Sequence, residues 1–259
     1  MADSDAVLLQ RDGLVATVTL NRPDKLNALT MEMLDALSAA ASELDADREV
    51  RCVILTGAGD RAFCVGADIN AFMALEPLDM WRSWIRRGHQ VFEQWARLRQ
   101  PVIAAINGHA LGGGLELAAT ADIRIAGPAA QFGLPEVSIA AVPGWSGTQR
   151  LAGLIGVSRV KYLALTARRL SAEQALQLGL LHELAGEGAL ASAQRLAREI
   201  CKLAPVSVQL AKQLVDAGSG AGLAAALEGM AAAIAASTQD AREGLASFRG
   251  KRAPDFRGK

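Results

Sequence analysis

From Val15 to Leu20 apolar and polar residues alternate, the period of a strand with one buried face, whereas Cys52 to Leu55 and Val102 to Ile106 are unbroken apolar runs expected of strands buried on both faces. Helical periods separate them. Behind Thr30, a residue suited to capping a helix, Met31, Leu34, Leu37, Ala41 and Leu44 recur at helical spacing. Trp81, Trp84, Ile85, Val91, Trp95 and Leu98 mark a second amphipathic helix that stops before Pro101, a spacing that predicts core or subunit contact rather than a cofactor site. Ser171 and Gln174 form a capping box, Gly179 closes that helix, and Leu180 to Leu184 returns as a short strand. From Pro205 onward the pattern is helical, punctuated by Gly218, Gly220 and Gly222. The predicted organisation is a mixed α/β body over residues 1–200 and a helical region over 201–259.

Composition narrows the function classes. Of 259 residues, 51% are hydrophobic, enough for a sizeable core. Lys plus Arg equals Asp plus Glu at 27 each, so no net field draws nucleic acid or an anionic membrane. The acidic start, MADSDAVLLQ, does not read as a secretory signal, and Glu228 and Gly229 interrupt the Ala-rich stretch Ala221 to Ala236, so a cytoplasmic protein without a membrane span is expected. Cys52, Cys64 and Cys201 have no CxxC spacing and read as reduced, buried thiols.

Three segments carry candidate chemistry. In Asn107 to Leu117 a buried strand runs into Gly112, Gly113 and Gly114 and then an apolar helix, so a ligand can approach the main chain where the first helical amides have no partner within the helix. Glu116 follows Gly113 by three residues and shares its helix face. Taken alone, this pattern serves equally as close strand-to-helix packing with an N-terminal acid. A second turn, Thr56 to Asp68, is an ordinary loop by itself but, paired with the first, supplies a second amide for an oxyanion. In the third segment Pro135 fixes the turn that presents Glu136, and the apolar neighbours Val137, Ile139, Ala140, Ala141 and Val142 predict a partly desolvated carboxyl. GxGxxG and GxxxxGK patterns are absent, His89, His109 and His182 lack metal-ligand spacing and read as packing or surface residues, and the GxSxG spacing of a serine hydrolase fails at Thr148.

Taken together, NGHALGGGLELA, GAGDRAFCVGADI, FGLPEV and PGWSGTQRL, with NRPDKLNAL before them and SAEQALQLGLL after, resemble the enoyl-CoA hydratase/isomerase (crotonase) family from about Val7 to the Arg-rich end. The resemblance implies an α/β fold, a spiral of ββα turns with a C-terminal helical oligomerisation region that builds trimers, commonly paired into hexamers. It implies an acyl-CoA thioester as substrate and partner, neither nucleic acid nor membrane, no metal, and no cofactor beyond the coenzyme A of the substrate. The backbone amides of Ala67 and Gly113 would form the oxyanion hole. Glu116 would activate water, Glu136 would serve the α-carbon proton, and Gly144 would help position water. Arg22 to Leu29, with Lys25, Leu26 and Ala28, would border the pantetheine and nucleotide of coenzyme A, and Lys251 would approach its phosphates from a neighbouring subunit, against the plainer reading of a solvated cationic end. Trp145 and Ser146 depart from the small residues that many hydratases carry. A Trp145 whose face lines the acyl pocket and whose nitrogen is hydrogen-bonded would set chain length. The activity expected is hydration of 2-enoyl-CoA to 3-hydroxyacyl-CoA. A 3,2-enoyl-CoA isomerase is the alternative within the fold, and a non-catalytic coenzyme A or RNA-binding protein the alternative outside catalysis.

Overall fold

Strands β1 (Val7–Asp12) and β2 (Val15–Leu20) form an antiparallel hairpin, and the chain then alternates between two sheets in the computed structural model, which describes residues 6–218 and 221–259. Helix α1 (Met31–Ala46) starts where the sequence predicts, with the Thr30 hydroxyl accepting from the Met33 amide, and it buries Leu34, Leu37, Ala41 and Leu44. Strand β3 (Cys52–Gly57) lies parallel to β2 and to β5 (Val102–Ile106), and every residue of β3 and β5 is buried. Strand β7 (Ile123–Ala126) follows, then β10 (Glu183–Leu184) at the edge, giving the order β1-β2-β3-β5-β7-β10. Strands β3, β5 and β7 are each followed by a short strand of a second sheet, β4 (Ala62–Cys64), β6 (His109–Leu111) and β8 (Gln131–Gly133), which β9 (Arg169–Ser171) completes.

One chain turn therefore gives a strand to each sheet and then goes helical, which is the expected ββα spiral. After β4 come α2 (Ile69–Met73), α3 (Pro77–Asp79), a π-helical turn (Met80–Ile85) and α4 (Arg86–Ala96). After β6 comes α5 (Gly113–Ala118), and after β8 come α6 (Gly147–Ile155) and α7 (Val157–Thr166). The parallel strands need such crossovers, and the helices cover the apolar faces that the crossovers leave. Ser171 and Gln174 form the predicted capping box on α8 (Ala172–Gln177). Helix α9 (Ala189–Ile200) lays Ala189, Ala193 and Ala197 against Ile54, Ile103 and Ala105, small residues that bring it close to the long sheet.

Several expectations need correction. Trp81 is 68% exposed although Trp84 and Trp95 are buried, because the wider π turn advances the helix by fewer degrees per residue and puts Trp81 out of phase with the buried face. The strand expected over Leu180 to Leu184 contains only Glu183 and Leu184; Leu180 and Leu181 are buried packing residues before it. The C-terminal helices are α10 (Pro205–Asp216), α11 (Ala221–Ser237) and α12 (Gln239–Gly250). Gly222 lies inside α11 rather than breaking it, and Gly220 lies outside the described residues. The region past residue 200 is tied to the body, since Lys212 pairs with Asp122 at 2.8 Å and Arg51 donates to the carbonyls of Cys201 and Phe256. Among the described residues no helix is long and apolar enough to cross a membrane, and the three cysteines are free and buried.

Candidate active site

The spiral sets the ends of β4, β6 and β8 side by side, and the loops that leave them enclose a cavity of about 420 Å³. Its lining includes Ala67, Gly113, Glu116, Glu136, Gly144 and Trp145, so six of the sequence-predicted residues meet in one place. Lys25 and Ala28 reach the same cavity, whereas Leu26 lines a smaller neighbouring one with Pro23, Asn27 and Gly59. Lys251 lines neither of the two cavities in its own chain.

Two backbone segments abut at the cavity wall. Gly66 has φ +98, and a methyl group there would lie 3.0 Å from the Gly113 nitrogen, so only glycine lets the β4 loop approach the start of α5. The Leu29 amide donates to Gly66 and the Asp68 amide to Leu29, a parallel bridge that leaves the amide of Ala67 pointing away from Leu29. Gly113 opens α5, so its amide has no carbonyl within the helix to meet. The loop carrying Leu29 is fixed by buried Asn27, which donates to the carbonyls of Ala58 and Ala62 and accepts from the Arg22 amide, while Arg22 pairs with Asp68 at 3.1 Å. Leu26 and Asn27 both take positive φ, which brings the NRPDKLNAL segment round to the cavity.

The two carboxylates stand in different surroundings. Glu116 is 2% exposed, and its Oε1 accepts from the amides of Trp145 at 2.9 Å and Gly147 at 2.8 Å. Burial raises its pKa, opposed by those amides, by that of Gly144, and by the charge of His89. Glu136 is seated over Gly112, where an added methyl would meet its Oε1 at 2.9 Å, and its Oε2 is buried with no hydrogen-bond partner among the described residues. Burial pushes its pKa up to about 7, and the charge of Glu116 adds to the effect. The partly desolvated carboxyl expected from the sequence is present, although Val137, Ile139 and Val142 are themselves exposed.

Trp145 lies on the inner wall, 3% exposed, with its ring tilted against Trp84 and edge-on to Phe92 at 5.2 Å. Methyl groups on Gly113 and Gly88 would fall 2.6 Å from its Cζ3 and 2.1 Å from its Nε1, so these two glycines form the slot that holds the indole. The expected hydrogen bond at its nitrogen is not made among the described residues, because Nε1 faces Gly88, which offers no side chain. His89 is no mere packing residue: its Nδ1 lies 2.5 Å from Ser146 Oγ. Fifty-seven positions separate the two, and only the fold brings them together. His182 also has a partner, its Nδ1 accepting from the Arg124 amide.

The C-terminal end is docked rather than merely solvated. Asp240 accepts from the amides of Arg257 and Gly258 at 2.7 Å each, and Arg252 makes a two-pronged pair with Glu243. Lys251 is exposed at the end of α12, in the left-handed conformation at φ 49. No group of three or more His, Cys, Asp or Glu side chains among the described residues is arranged to hold a metal.

Known proteins match this arrangement along its length. The sequence profile of the enoyl-CoA hydratase/isomerase family matches residues 10–259. Short-chain-enoyl-CoA hydratase of Clostridium acetobutylicum is 41% identical over 249 residues, 95% of each chain. (E)-benzylidenesuccinyl-CoA hydratase of Thauera aromatica is 37% identical over 256 residues, 97% of this chain and 99% of its own. The crystal structure of enoyl-CoA hydratase from Bacillus anthracis superposes with a TM-score of 0.94 at 36% identity, covering 98% of this chain and all of the other. With fold and sequence agreeing over almost every residue, the chain belongs to the enoyl-CoA hydratase/isomerase family.

Proposed function

We propose that this chain is a 2-enoyl-CoA hydratase, a hydro-lyase that adds water across the double bond of an enoyl thioester, with Glu116 and Glu136 as its acid–base pair. The observation that carries the reading is the convergence, on one cavity, of two carboxyl groups in unlike environments beside the amides of Ala67 and Gly113. As hydroxide adds to the β-carbon, negative charge grows on the thioester oxygen. Two fixed amides at that oxygen stabilise the transition state more than the ground state. Glu116, whose Oε1 is held by amides, accepts the proton of water, and Glu136, whose neutral form burial favours, delivers one to the α-carbon. The Gly144 amide holds the water and Glu116 in register. None of these steps calls on a metal or redox cofactor.

On the same reading Lys25 and Ala28 border the pantetheine, Leu26 the nucleotide, and Trp145 the end of the acyl group. Lys251 meets coenzyme A phosphates across a subunit contact in a cytoplasmic trimer or hexamer. Residues 1–200 form the catalytic body and 201–259 the assembly region, where Val215, Met230, Ile234, Leu245 and Phe248 leave apolar surface exposed. The short-chain and aryl-substituted acyl groups named for the two hydratases above lead us to test a graded panel of short, long, branched and aromatic enoyl-CoA thioesters. Hydration bleaches the enoyl-thioester ultraviolet band and gives a 3-hydroxyacyl product identified by mass, whereas 3,2-isomerisation creates the band. Glu116→Gln and Glu136→Gln should each lower turnover by about 10²- to 10⁴-fold with coenzyme A ester binding retained. Near-normal turnover in either variant rejects the two-acid mechanism.

A further inference from the structure

We propose that His89 is a positioning residue for Glu116, acting through Ser146 and the turn Gly144 to Gly147; the proposal rests on Glu116 being the group that takes the proton from water. The turn that holds Glu116 is backbone under strain. Ser146 has φ +66 and ψ 11, the left-handed region that a residue with a side chain avoids. That conformation lets the amides on either side of it, Trp145 and Gly147, converge on one oxygen of Glu116. There is no slack in the fit, since a methyl on Gly147 would lie 2.0 Å from Glu116 Cγ. A strained turn persists only where its surroundings hold it.

The restraint comes from α4. His89 Nδ1 meets Ser146 Oγ at 2.5 Å, and one turn further along both helices Arg150 donates to Glu93 at 2.5 Å. His89 and Glu93 are four residues apart on α4, and Ser146 and Arg150 are four apart at the start of α6, so the two contacts form a polar clasp between the helices. Its inner rung grips the strained residue itself. Next to it, Gly88 and Phe92 of the same helix seat Trp145. Helix α4 thus fixes residues 145 and 146 from two sides, and they in turn fix the Glu116 carboxylate. His89 is not among the residues that line the cavity, so beside the charge it sets near Glu116 its effect passes through the amides.

The test is a set of variants assayed for kcat, KM and melting temperature. His89→Ala and Ser146→Ala should each lower kcat by roughly ten- to a hundredfold with KM within about twofold, as loss of positioning does. The double variant should be no slower than the slower single one. His89→Asn, whose amide reaches the place of Nδ1, should restore most of kcat. In a Glu116→Gln background, His89→Ala should cause no further loss, because the group it positions has already been disabled. A full multiplicative loss in that background, an unchanged kcat in His89→Ala, or a KM that rises in step with the fall in kcat would overturn the proposal. Ser146→Gly removes the hydroxyl yet suits the left-handed backbone; it covers the case in which His89→Ala does not fold, and an unchanged kcat there is equally fatal. If Glu116→Gln alone turns over normally, the reading of Glu116 fails; if it is inactive while the clasp variants are normal, only this inference fails.

Discussion

The pH profile of hydration follows from the surroundings of Glu136. A glutamic acid at its ordinary value of 4.5 would be about 0.3% protonated at pH 7, whereas one raised to about 7 is roughly half protonated, on the order of a hundredfold more of the acid that the α-carbon needs. The sign follows directly. The proposed mechanism requires Glu136 protonated, so kcat/KM should fall about tenfold per pH unit above pH 7 and should also fall at low pH, where Glu116 takes up a proton. The two limbs report apparent values of the interacting pair. The assay is the initial rate of bleaching of a short 2-enoyl-CoA from pH 5 to 9 at constant ionic strength. Glu136→Gln, assayed at high enzyme concentration, should keep a small residual rate that is flat above pH 7, because the group responsible for that limb is gone. A flat wild-type profile from pH 7 to 9, or an upper limb that survives Glu136→Gln, would refute the assignment of Glu136 as the acid.

Three other outcomes follow from the Trp145 slot and the C-terminal end. Gly88→Ala places a methyl 2.1 Å from Trp145 Nε1 and should destabilise the protein by ~1–3 kcal/mol, whereas in a Trp145→Ala background the same change should stabilise by ~0.5–1 kcal/mol through helix propensity; equal effects in both backgrounds on chemical denaturation would show that the contact costs nothing. Trp145→Ala should shift relative catalytic efficiency toward longer or bulkier enoyl-CoA substrates, and equal fractional changes across a graded acyl series would make the ring structural only. Lys251→Ala should raise KM for coenzyme A esters, more at low salt, with little loss of kcat, and unchanged kinetics would remove it from the binding site.

The elements legible in the sequence are those whose signals are local. The apolar runs at Cys52 and Val102, the Thr30 cap and the Ser171 capping box depend on residues within one element, and each has its predicted partner. The carboxylates and glycines that line the cavity are legible as motifs, but the seat of Glu136 is not: its Oε1 lies against Gly112, twenty-four positions earlier, while Val137, Ile139 and Val142 after it are exposed. Contacts between distant segments left no trace in periodicity. Gly88 reads as an unremarked glycine inside a helix until Trp145 is seen pressed against it, and His89 reads as a surface residue until Ser146 is brought to it. Trp81 failed for a different reason, since a π turn breaks the 3.6-residue count on which the expected face was drawn.

The two glutamates are chemically identical, and the fold sets them apart by how it distributes hydrogen-bond donors, which on the proposed mechanism divides their labour. In the proposed hydration the pair begins with a proton on Glu136 and ends with one on Glu116, so it carries a single proton throughout, and the question is which carboxyl holds it at the start. Burial raises the pKa of Glu116, but amide donors at its Oε1 oppose the rise and give its charged form a support that Glu136 lacks. Glu136 has a buried oxygen without a partner and the charge of Glu116 nearby, both of which favour its neutral form. Equal treatment would leave the proton shared and half of the pair in the wrong state to begin. On the proposed mechanism the strained turn at Ser146 is therefore part of the chemistry as well as of the packing: by aiming the amides on either side of it at one oxygen it favours Glu116 as the base, and the bare seat over Gly112 favours Glu136 as the acid.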